Sequence, residues 1–328
     1  MHKDVLSITP ASRGIKLKRI MNIEVLLTEA EIAAEFAEAL QARDLPEKFL
    51  YWFPLSVQRW RKMAAEPAFA ELRNTWAAVG GKAGQISSHF KSEVPVVSYG
   101  AGDGQKDRLL LQALRAAGKT VKYFPVDASQ TLLEIACAAA EDEDFETVGI
   151  KADISSRAHA LIAADSAEAP RLFLMAGNTL GGFDPLDLVK SVADCMRTGD
   201  RLIIDGALNS EDGFRTETSD PTRDFAFALL ASIGIGPEDG RIRFEKKEDS
   251  RHRGLSMVTK RFHADRDLRI SVSSEEVSVA RGERIFLNFR YLYSPEAFRW
   301  LLEKQGGLTV EEQIISSDKS FTTAICSK

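Results

Sequence analysis

Three glycines in one short turn are the residues of this chain with the clearest potential for chemistry. The turn reads GAGDG at residues 100–104, with an apolar run at 94–97 before it and the amphipathic pattern QKDRLLLQAL after it. Glycine at alternate positions lets the backbone turn sharply and approach a bound molecule closely. Where such a turn joins a strand to a helix, the helix N-terminus faces the ligand. The spacing therefore predicts a small-molecule site at Gly100 and Gly102.

The ligand of this turn has two main interpretations. A dinucleotide-binding turn has the spacing GxGxxG, whereas here the third glycine comes one position early and Asp103 would place negative charge beside the phosphates. S-adenosylmethionine (SAM) has no phosphate, and its zwitterionic methionine end and its sulfonium tolerate a nearby carboxylate. A nicotinamide dinucleotide and a turn that binds nothing remain alternatives at this point.

Two aspartates at the ends of the next strand candidates favour an adenosyl ligand. Asp127 ends VKYFPVD, where a carboxylate can accept hydrogen bonds from both ribose hydroxyls. Asp153 ends TVGIKAD, where a side chain can meet the adenine amino group. Either aspartate alone could be a helix cap. Three polar features at three successive strand ends together indicate SAM.

The elements that must position these residues alternate between residues 93 and 205. Short apolar strands separated by helical patterns, each strand ending in Gly or Asp, predict a parallel sheet covered on both faces. Ligands of such sheets bind at the carboxyl ends of the strands. The strand candidates are PVVSYG, VKYFPVD, TVGIKAD, RLFLMAG and RLIIDGAL.

The flanking segments have other patterns. Helical spacing precedes the core at 28–43 and 54–80, and residues 241–293 alternate apolar with polar residues, as antiparallel strands do. A helix from Ser294 and two further strands close the chain. We therefore expect an α/β fold, a Rossmann-like doubly wound domain with an additional α+β unit.

Composition excludes several classes of partner. The 328 residues include 43 basic and 48 acidic side chains, a net charge of −5, which disfavours nucleic acid and anionic membrane. No apolar run approaches the roughly 20 residues that span a bilayer. Three scattered cysteines and five histidines without ligand spacing predict neither a disulfide framework nor a metal site. A small-molecule substrate and a cytoplasmic location are expected, and the oligomeric state is left open.

Six ordered motifs resemble the histidine-specific, SAM-dependent methyltransferase family. They are SYGAGDGQKDRLLLQAL, YFPVDAS, KADI, LMAGNTLGGFDP, GERI and YSPEAF. The resemblance implies a methyltransferase fold, SAM as cofactor and methylation of an amino nitrogen, as in members that act on histidine or prenylated tryptophan. We expect a substrate-binding domain (21–60 and 209–290) and a SAM-binding domain (61–208 and 291–328). Residues 1–20 are expected to form a flexible arm, because no periodic pattern begins before Ile23.

Site residues follow from the resemblance position by position. Tyr99 adjoins the glycine turn, Lys106 suits the methionine carboxylate, and Gly177 lies on the loop that faces the substrate. The cofactor contacts are Tyr99, Gly100, Gly102, Lys106, Asp127, Asp153, Ile154 and Gly177. The substrate contacts are Tyr51, Asn178, Gly182, Phe183, Arg215, Met257, Asn288 and Arg290.

Four of these positions depart from the family pattern. Gly182 replaces an asparagine that holds the substrate amino acid, and Arg215 aligns with a tyrosine that binds its carboxylate. Asn288 and Arg290 replace the glutamate and serine that recognise imidazole. Strand alternation places Asn288 and Arg290 on one face, where an arginine suits an anionic group. We therefore expect a small amine that carries an anionic group, and not histidine.

Methyl transfer requires alignment and desolvation more than a covalent intermediate. No Ser-His-Asp or Cys-His grouping is present, and no catalytic residue is assigned. Tyr51, Tyr99 and Phe183 are candidates for aromatic support of the sulfonium cation. Two alternative functions remain at this stage, a nicotinamide-dependent dehydrogenase and a SAM-binding protein without catalysis.

Overall fold

A computed structural model describes residues 21–272 and 275–328, so the predicted arm at 1–20 lies outside the described residues. The strands are β1 (Ile23–Val25), β2 (Glu93–Tyr99), β3 (Thr120–Asp127), β4 (Glu146–Thr147), β5 (Gly149–Lys151), β6 (Leu172–Met175), β7 (Arg201–Ala207), β8 (Gly240–Glu248), β9 (Leu255–Ala264), β10 (Leu268–Val272), β11 (Glu275–Val279), β12 (Arg284–Tyr293), β13 (Thr309–Ile315) and β14 (Phe321–Ser327). The helices are α1 (Glu29–Ala42), α2 (Pro54–Ala65), α3 (Ala70–Gly80), α4 (Ala83–Ser87), α5 (Gln105–Ala116), α6 (Gln130–Asp142), α7 (Arg157–Asp165), α8 (Pro185–Cys195), α9 (Glu211–Glu217), α10 (Asp220–Ser232) and α11 (Pro295–Trp300).

The large sheet has the strand order β1-β5-β3-β2-β6-β7-β14-β13, with β4 also paired to β3. Strands β1 to β7 pair in parallel, while β14 runs antiparallel to both β7 and β13. The strand order reverses between β2 and β6, and a doubly wound sheet binds its ligand at that point. The predicted α/β architecture is confirmed.

Buried apolar strands explain why the sheet forms. Every residue of β6 and β7 is buried, as expected for parallel strands covered on both faces. Helix α5 begins directly after Gly104, and α6 begins after Ser129, whose side chain accepts from the Leu132 N–H. These two helix starts fix the turns after β2 and β3, which are the turns that carry the predicted ligand contacts.

A second structural unit lies beside the large sheet. Strands β12, β9 and β8 form an antiparallel sheet in that order, and β10 and β11 form a hairpin. Their apolar side chains share a buried cluster with α1 and α10, which includes Phe36, Phe225 and Phe262. The antiparallel pattern predicted for residues 241–293 is confirmed.

Two local features differ from the sequence-based expectation. Strand β1, which we assigned to the substrate-binding unit, pairs with β5 at the edge of the large sheet. The helical pattern at 54–80 is interrupted at Pro67, because proline cannot donate the helical hydrogen bond, so α2 and α3 are separate helices. Within the ranges described above, no helix combines the length and apolar character needed to cross a membrane.

Candidate active site

A cavity of about 710 Å³ lies at the carboxyl ends of the central strands. Its walls come from the turn after β2, the end of β3, the segment after β5 and the loop after β6. Seven of the eight predicted cofactor contacts line it: Gly100, Gly102, Lys106, Asp127, Asp153, Ile154 and Gly177. The fold therefore brings together residues that are up to 77 positions apart in the sequence, from Gly100 to Gly177.

Positive φ angles explain the glycines of the first turn. Gly100 has φ 67° and Gly102 has φ 58°, a region that residues with a Cβ rarely adopt. A Cβ on Gly100 would lie 2.5 Å from Thr179 Cγ2. The turn thus needs glycine for its conformation and for the close approach of the loop after β6.

Asp127 is the anchor of the cavity floor. Its Oδ2 accepts from the Gly102 N–H at 2.8 Å and its Oδ1 accepts from the Ser129 N–H at 2.9 Å. Burial raises the pKa of Asp127 to about 6, against the effect of these hydrogen bonds. The carboxylate faces the cavity and keeps lone pairs free for a ligand, as the ribose prediction requires.

Asp153 is bonded on both oxygens. Lys48 Nζ lies 2.7 Å from Oδ2, and the N–H and hydroxyl of Ser155 donate to Oδ1 at 2.9 and 2.6 Å. Burial tends to raise the pKa of Asp153, but the hydrogen bonds from Lys48 and Ser155 lower it overall. Lys48 also pairs with Glu35, and it lines the cavity beside Asp153. An adenine amino group at Asp153 would share this carboxylate with Lys48.

The ammonium group of Lys106 lines the cavity without a carboxylate partner among the described residues. Lys106 Nζ lies 5.8 Å from the centre of the Trp60 ring. Its methylene groups pass so close to Gly177 that a Cβ there would lie 2.7 Å from Lys106 Cε. The position suits a carboxylate ligand such as the methionine end of SAM.

Buried Asp205 on β7 fixes the loop after β6. Its Oδ2 accepts from Trp76 Nε1 at 2.6 Å and from the Gly177 N–H at 2.7 Å, and its Oδ1 accepts from the Asn178 N–H at 2.6 Å. Burial raises the pKa of Asp205. The carboxylate holds Asn178 at φ 59°, and Asn178 Oδ1 accepts from the Ala207 N–H at 3.1 Å. Gly177 and Asn178 thereby form a rigid part of the wall.

A second cavity of about 1350 Å³ adjoins the first. The two cavities share five lining residues, which are Tyr51, Trp60, Lys106, Gly177 and Asn178. Charged side chains from α9, β9 and β12 line the second cavity, namely Glu217, Lys260 and Arg290. Burial lowers the pKa of Lys260, against the opposing effect of Glu217. This arrangement offers two adjoining cavities that share part of their lining.

Glu47 lines the first cavity and holds Arg290, which lines the second. Arg290 pairs with Glu47 Oε1 and donates to the Tyr51 hydroxyl at 2.9 Å, while Asn288 Nδ2 donates to Glu47 Oε2 at 2.9 Å. The shared partner confirms that Asn288 and Arg290 lie on one face of β12. A Cβ on Gly182 would lie 2.5 Å from Arg290 Nη1 and 2.8 Å from the Glu47 carboxyl carbon. Glycine at 182 therefore makes room for the Glu47–Arg290 pair.

The predicted substrate contacts fall into three groups. Tyr51, Asn178 and Arg290 line the second cavity, whereas Phe183 lines only the first. Gly182 and Asn288 line neither and lie behind the wall, against Glu47.

Three predicted contacts need correction. Arg215 is 75% exposed on the surface of α9 and pairs with Asp212. Met257 packs against the core of the large sheet, because its side chain lies on the face of β9 that turns away from Lys260. Tyr99 is fully buried, donates to the Ala160 carbonyl oxygen at 2.7 Å and lines neither cavity, so its ring cannot support a cation there.

Five of the cavity residues that sequence reasoning missed bear on the chemistry of the site. They are Glu47, Lys48, Trp60, Glu217 and Lys260. Lys260 had a detectable signal, because it alternates with Val258 and Phe262 on the buried face of β9, where the period of two predicts an apolar residue. Glu217 had no comparable signal, since α9 is short and ends at that residue.

Comparison with known proteins identifies the class. The family model described as histidine-specific methyltransferase, SAM-dependent, matches residues 30–213, more than half of the chain. The chain belongs to this family. It is a SAM-dependent methyltransferase, and the first cavity offers a lysine without a salt bridge and two aspartates, a set of side chains that fits SAM.

Two relatives and one solved structure illustrate the similarity. Histidine N-alpha-methyltransferase of Mycobacterium tuberculosis is 25% identical over 49% of this chain and 50% of the relative, so the chain spans about half the length of that relative. The 4-dimethylallyltryptophan N-methyltransferase of Aspergillus fumigatus is 23% identical over a region that covers 84% of this chain and 87% of that relative. The alignment with the structure of a SAM-dependent methyltransferase from Clostridium acetobutylicum covers 79% of this chain and 91% of that protein's chain, with 13% identity and a TM-score of 0.41.

Proposed function

We propose that this methyltransferase acts on the amino nitrogen of a small amino-acid-like or otherwise anionic amine, and that histidine is not its substrate. The observation that carries the proposal is the shared wall of the two cavities. Tyr51, Gly177 and Asn178 line both, so an acceptor in the second cavity lies next to a cofactor in the first. The charged lining of the second cavity favours a polar, charged acceptor over an apolar one.

The first cavity would hold the cofactor through opposite charges and hydrogen bonds. Lys106 would bind the methionine carboxylate, Asp127 would accept from the ribose hydroxyls, and Asp153 would accept from the adenine amino group. Bound SAM supplies an electrophilic methyl group on a sulfonium. Trp60 and Tyr51 border the passage between the cavities, where aromatic faces can support that positive charge.

The second cavity aligns the acceptor and keeps water from its nitrogen. The amine must lose one proton before its lone pair can attack, and a poorly hydrated site lowers the pKa of an ammonium group. The new bond joins the nitrogen to the methyl carbon while the sulfur–carbon bond breaks, and a second proton leaves the nitrogen after transfer. Positioning of this kind can supply a large share of the rate acceleration.

The hydrogen bonds that Asn288 and Arg290 donate to Glu47 support the exclusion of histidine as a substrate. The family resemblance assigns imidazole recognition to the positions of Asn288 and Arg290. Here both side chains point to Glu47 and are bonded to it. No carboxylate or hydroxyl at these two positions is available for an imidazole nitrogen.

Transfer of a labelled methyl group tests the proposal. Purified protein, SAM with a labelled methyl group and an extract of the source cell are incubated, and mass spectrometry identifies the labelled products. Histidine and a panel of other amino acids are assayed in parallel. The proposal predicts a labelled amine with an anionic group and no efficient turnover of histidine. Efficient methylation of histidine, or label only on oxygen or carbon, would contradict it.

A further inference from the structure

Two charged side chains in the second cavity are buried but poorly bonded. The Glu217 carboxylate is 3.5 Å from Lys260 Nζ and 3.5 Å from Asn178 Nδ2, which is the outer limit of a hydrogen bond. The side chains of Lys260 and Glu217 are 2% and 9% exposed. Within residues 21–272 and 275–328, these two long contacts are the hydrogen bonds that reach the carboxylate, and Lys260 Nζ has only the one to Glu217.

In the neighbouring ion pair Glu47–Arg290, by contrast, both partners have short hydrogen bonds. Both oxygens of Glu47 accept hydrogen bonds, and the guanidinium group of Arg290 also reaches Tyr51 at 2.9 Å. A buried ion pair is stable only when further hydrogen bonds compensate for lost hydration. Arg290 therefore has its anion already, while Glu217 and Lys260 retain free lone pairs and N–H donors toward the cavity.

We propose that Glu217 and Lys260 form the recognition pair for the acceptor, with Glu217 binding its amino group and Lys260 binding its anionic group. The proposal rests on the proposed function and specifies which residues carry it. Asn178 lines both cavities and contacts Glu217, so an amine at Glu217 lies beside the passage to the methyl donor. The anion of the acceptor lies farther from the passage, at Lys260.

Charge balance defines the class of acceptor. Glu217 and Lys260 neutralise each other across 3.5 Å in the free protein. A simple amine that took Glu217 as its partner would leave Lys260 as an unpaired buried cation, which is strongly unfavourable. An acceptor that enters with a positive amine and an anion satisfies both side chains, and its amine loses one proton before transfer. A zwitterionic amino acid fits this requirement, whereas its decarboxylated amine does not.

Matched amines and isosteric variants test this pair. The probes are tryptophan with tryptamine, tyrosine with tyramine, lysine with cadaverine, and the amine identified from the cell extract. Glu217→Gln should lower kcat/KM for the best anionic amine on the order of 10–100-fold, as expected for a buried charged hydrogen bond. Lys260→Met should reduce the preference for the anion-carrying member of the responsive pair by about tenfold or more.

Controls separate recognition from folding. Arg215→Ala changes an exposed residue on the same helix as Glu217 and should leave kinetics unchanged. SAM binding by calorimetry should be retained in each variant, and the double variant Glu217→Gln/Lys260→Met avoids an unpaired buried charge if a single variant fails to fold. The double variant should methylate the anionic amine poorly.

The outcomes distinguish this inference from the proposed function. If no amine in the extract or the panel accepts a methyl group, the proposed function fails and this inference fails with it. If an amine is methylated but the wild-type kinetics and the preference for an anionic group persist in the variants, only the recognition pair is refuted.

Discussion

At the scale of single residues, the site depends on how each buried carboxylate is anchored. Asp127 is held by two backbone N–H groups, Asp153 by Lys48 and Ser155, and Glu47 by Arg290 and Asn288. Each anchor fixes a carboxylate before any ligand arrives, so little ordering is required on binding. Pre-organisation of this kind strengthens binding because side-chain freedom has already been lost.

Asp127→Asn should weaken SAM binding on the order of 30–150-fold. A carboxylate that accepts from ribose hydroxyls contributes on the order of 2–3 kcal/mol as a charged hydrogen bond, and the amide offers only one acceptor atom. Calorimetry measures the effect, and Asp142→Asn on the exposed end of α6 is the control. Unchanged SAM affinity in Asp127→Asn would show that Asp127 serves only the turn.

The affinity for SAM should also depend on pH through Asp127. Burial raises the pKa of this carboxyl to about 6 in the free protein, and the ionised form is the better acceptor. SAM should therefore bind tightly at pH 8 and progressively less well as the pH falls through about 6. The Asp127→Asn variant should lack this dependence. Titration calorimetry between pH 5 and 8 on both proteins decides the point.

Glu47→Gln should destabilise the protein by about 3–5 kcal/mol, because it leaves Arg290 as a buried cation without its carboxylate. The double variant Glu47→Met/Arg290→Met should recover most of the loss. Glu245→Gln is the control, since Glu245 is 56% exposed in its pair with Arg261 and such pairs contribute little. Denaturant unfolding measures all three. Equal stability of Glu47→Gln and wild type would mean that the Glu47–Arg290 pair is not formed.

Residue types at strand ends were predictable, but partners across the fold were not. Asp127 and Asp153 follow apolar runs, so their place at the edge of the sheet follows from the pattern alone. The role of Arg290 depends on Glu47, which is 243 positions away in the sequence. A sequence pattern cannot show that an arginine already has its anion.

At the scale of elements, the turn after β2 and the loop after β6 form one interlocked unit. Thr179 lies against Gly100, and Lys106 lies against Gly177, so each loop limits the side chains of the other. Because Asp205 on β7 fixes the second loop, three neighbouring strands determine the shape of the first cavity.

Gly100→Ala should reduce both stability and SAM affinity. An alanine at φ 67° costs roughly 1–2 kcal/mol, and its Cβ would also collide with Thr179. Gly118→Ala is a matched control, because Gly118 has φ 83° but a Cβ added there would have no neighbouring atom within 4 Å. Gly118→Ala should lower the stability of the protein but leave its affinity for SAM unchanged. Similar SAM affinity in the two variants would contradict the close approach at Gly100.

The predicted strands and helices agree with the structure wherever the apolar period was long and uninterrupted. The core strands and the antiparallel segments at 241–293 were located correctly, but TVGIKAD spans the two short strands β4 and β5, and LRISVSSEEVSV contains the paired strands β10 and β11. Strand β1 was missed as part of the large sheet, because three residues carry too little pattern to indicate a partner 126 positions away at Gly149. Pairing between distant segments is decided by packing, which the local sequence does not encode.

At the scale of the whole molecule, the two structural units supply the walls of two adjoining cavities. The large sheet supplies the loops around the first cavity, and α2, α9, β9 and β12 supply much of the second. The two share a wall, so a ligand in either cavity adds contacts to the folded state and opposes unfolding.

SAM and its demethylated product should raise the melting temperature, while NAD should not. A ligand at 100 times its Kd stabilises the folded state by about 2.7 kcal/mol. Asp103 disfavours a pyrophosphate at the glycine turn, so NAD should give no shift. Thermal denaturation with each ligand at equal concentration measures this. Stabilisation by NAD that exceeds that by SAM would contradict the assignment of the first cavity.

The most direct measurement is the position of the methyl group in the product. The purified protein, SAM with a trideuteriomethyl group and the acceptor are incubated, and fragmentation in the mass spectrometer locates the label. The expected result is a deuterated methyl group on the amino nitrogen of an anionic amine, with one demethylated cofactor released for each group transferred. A label on oxygen or carbon, or cofactor turnover without a methylated amine, would contradict the proposed function.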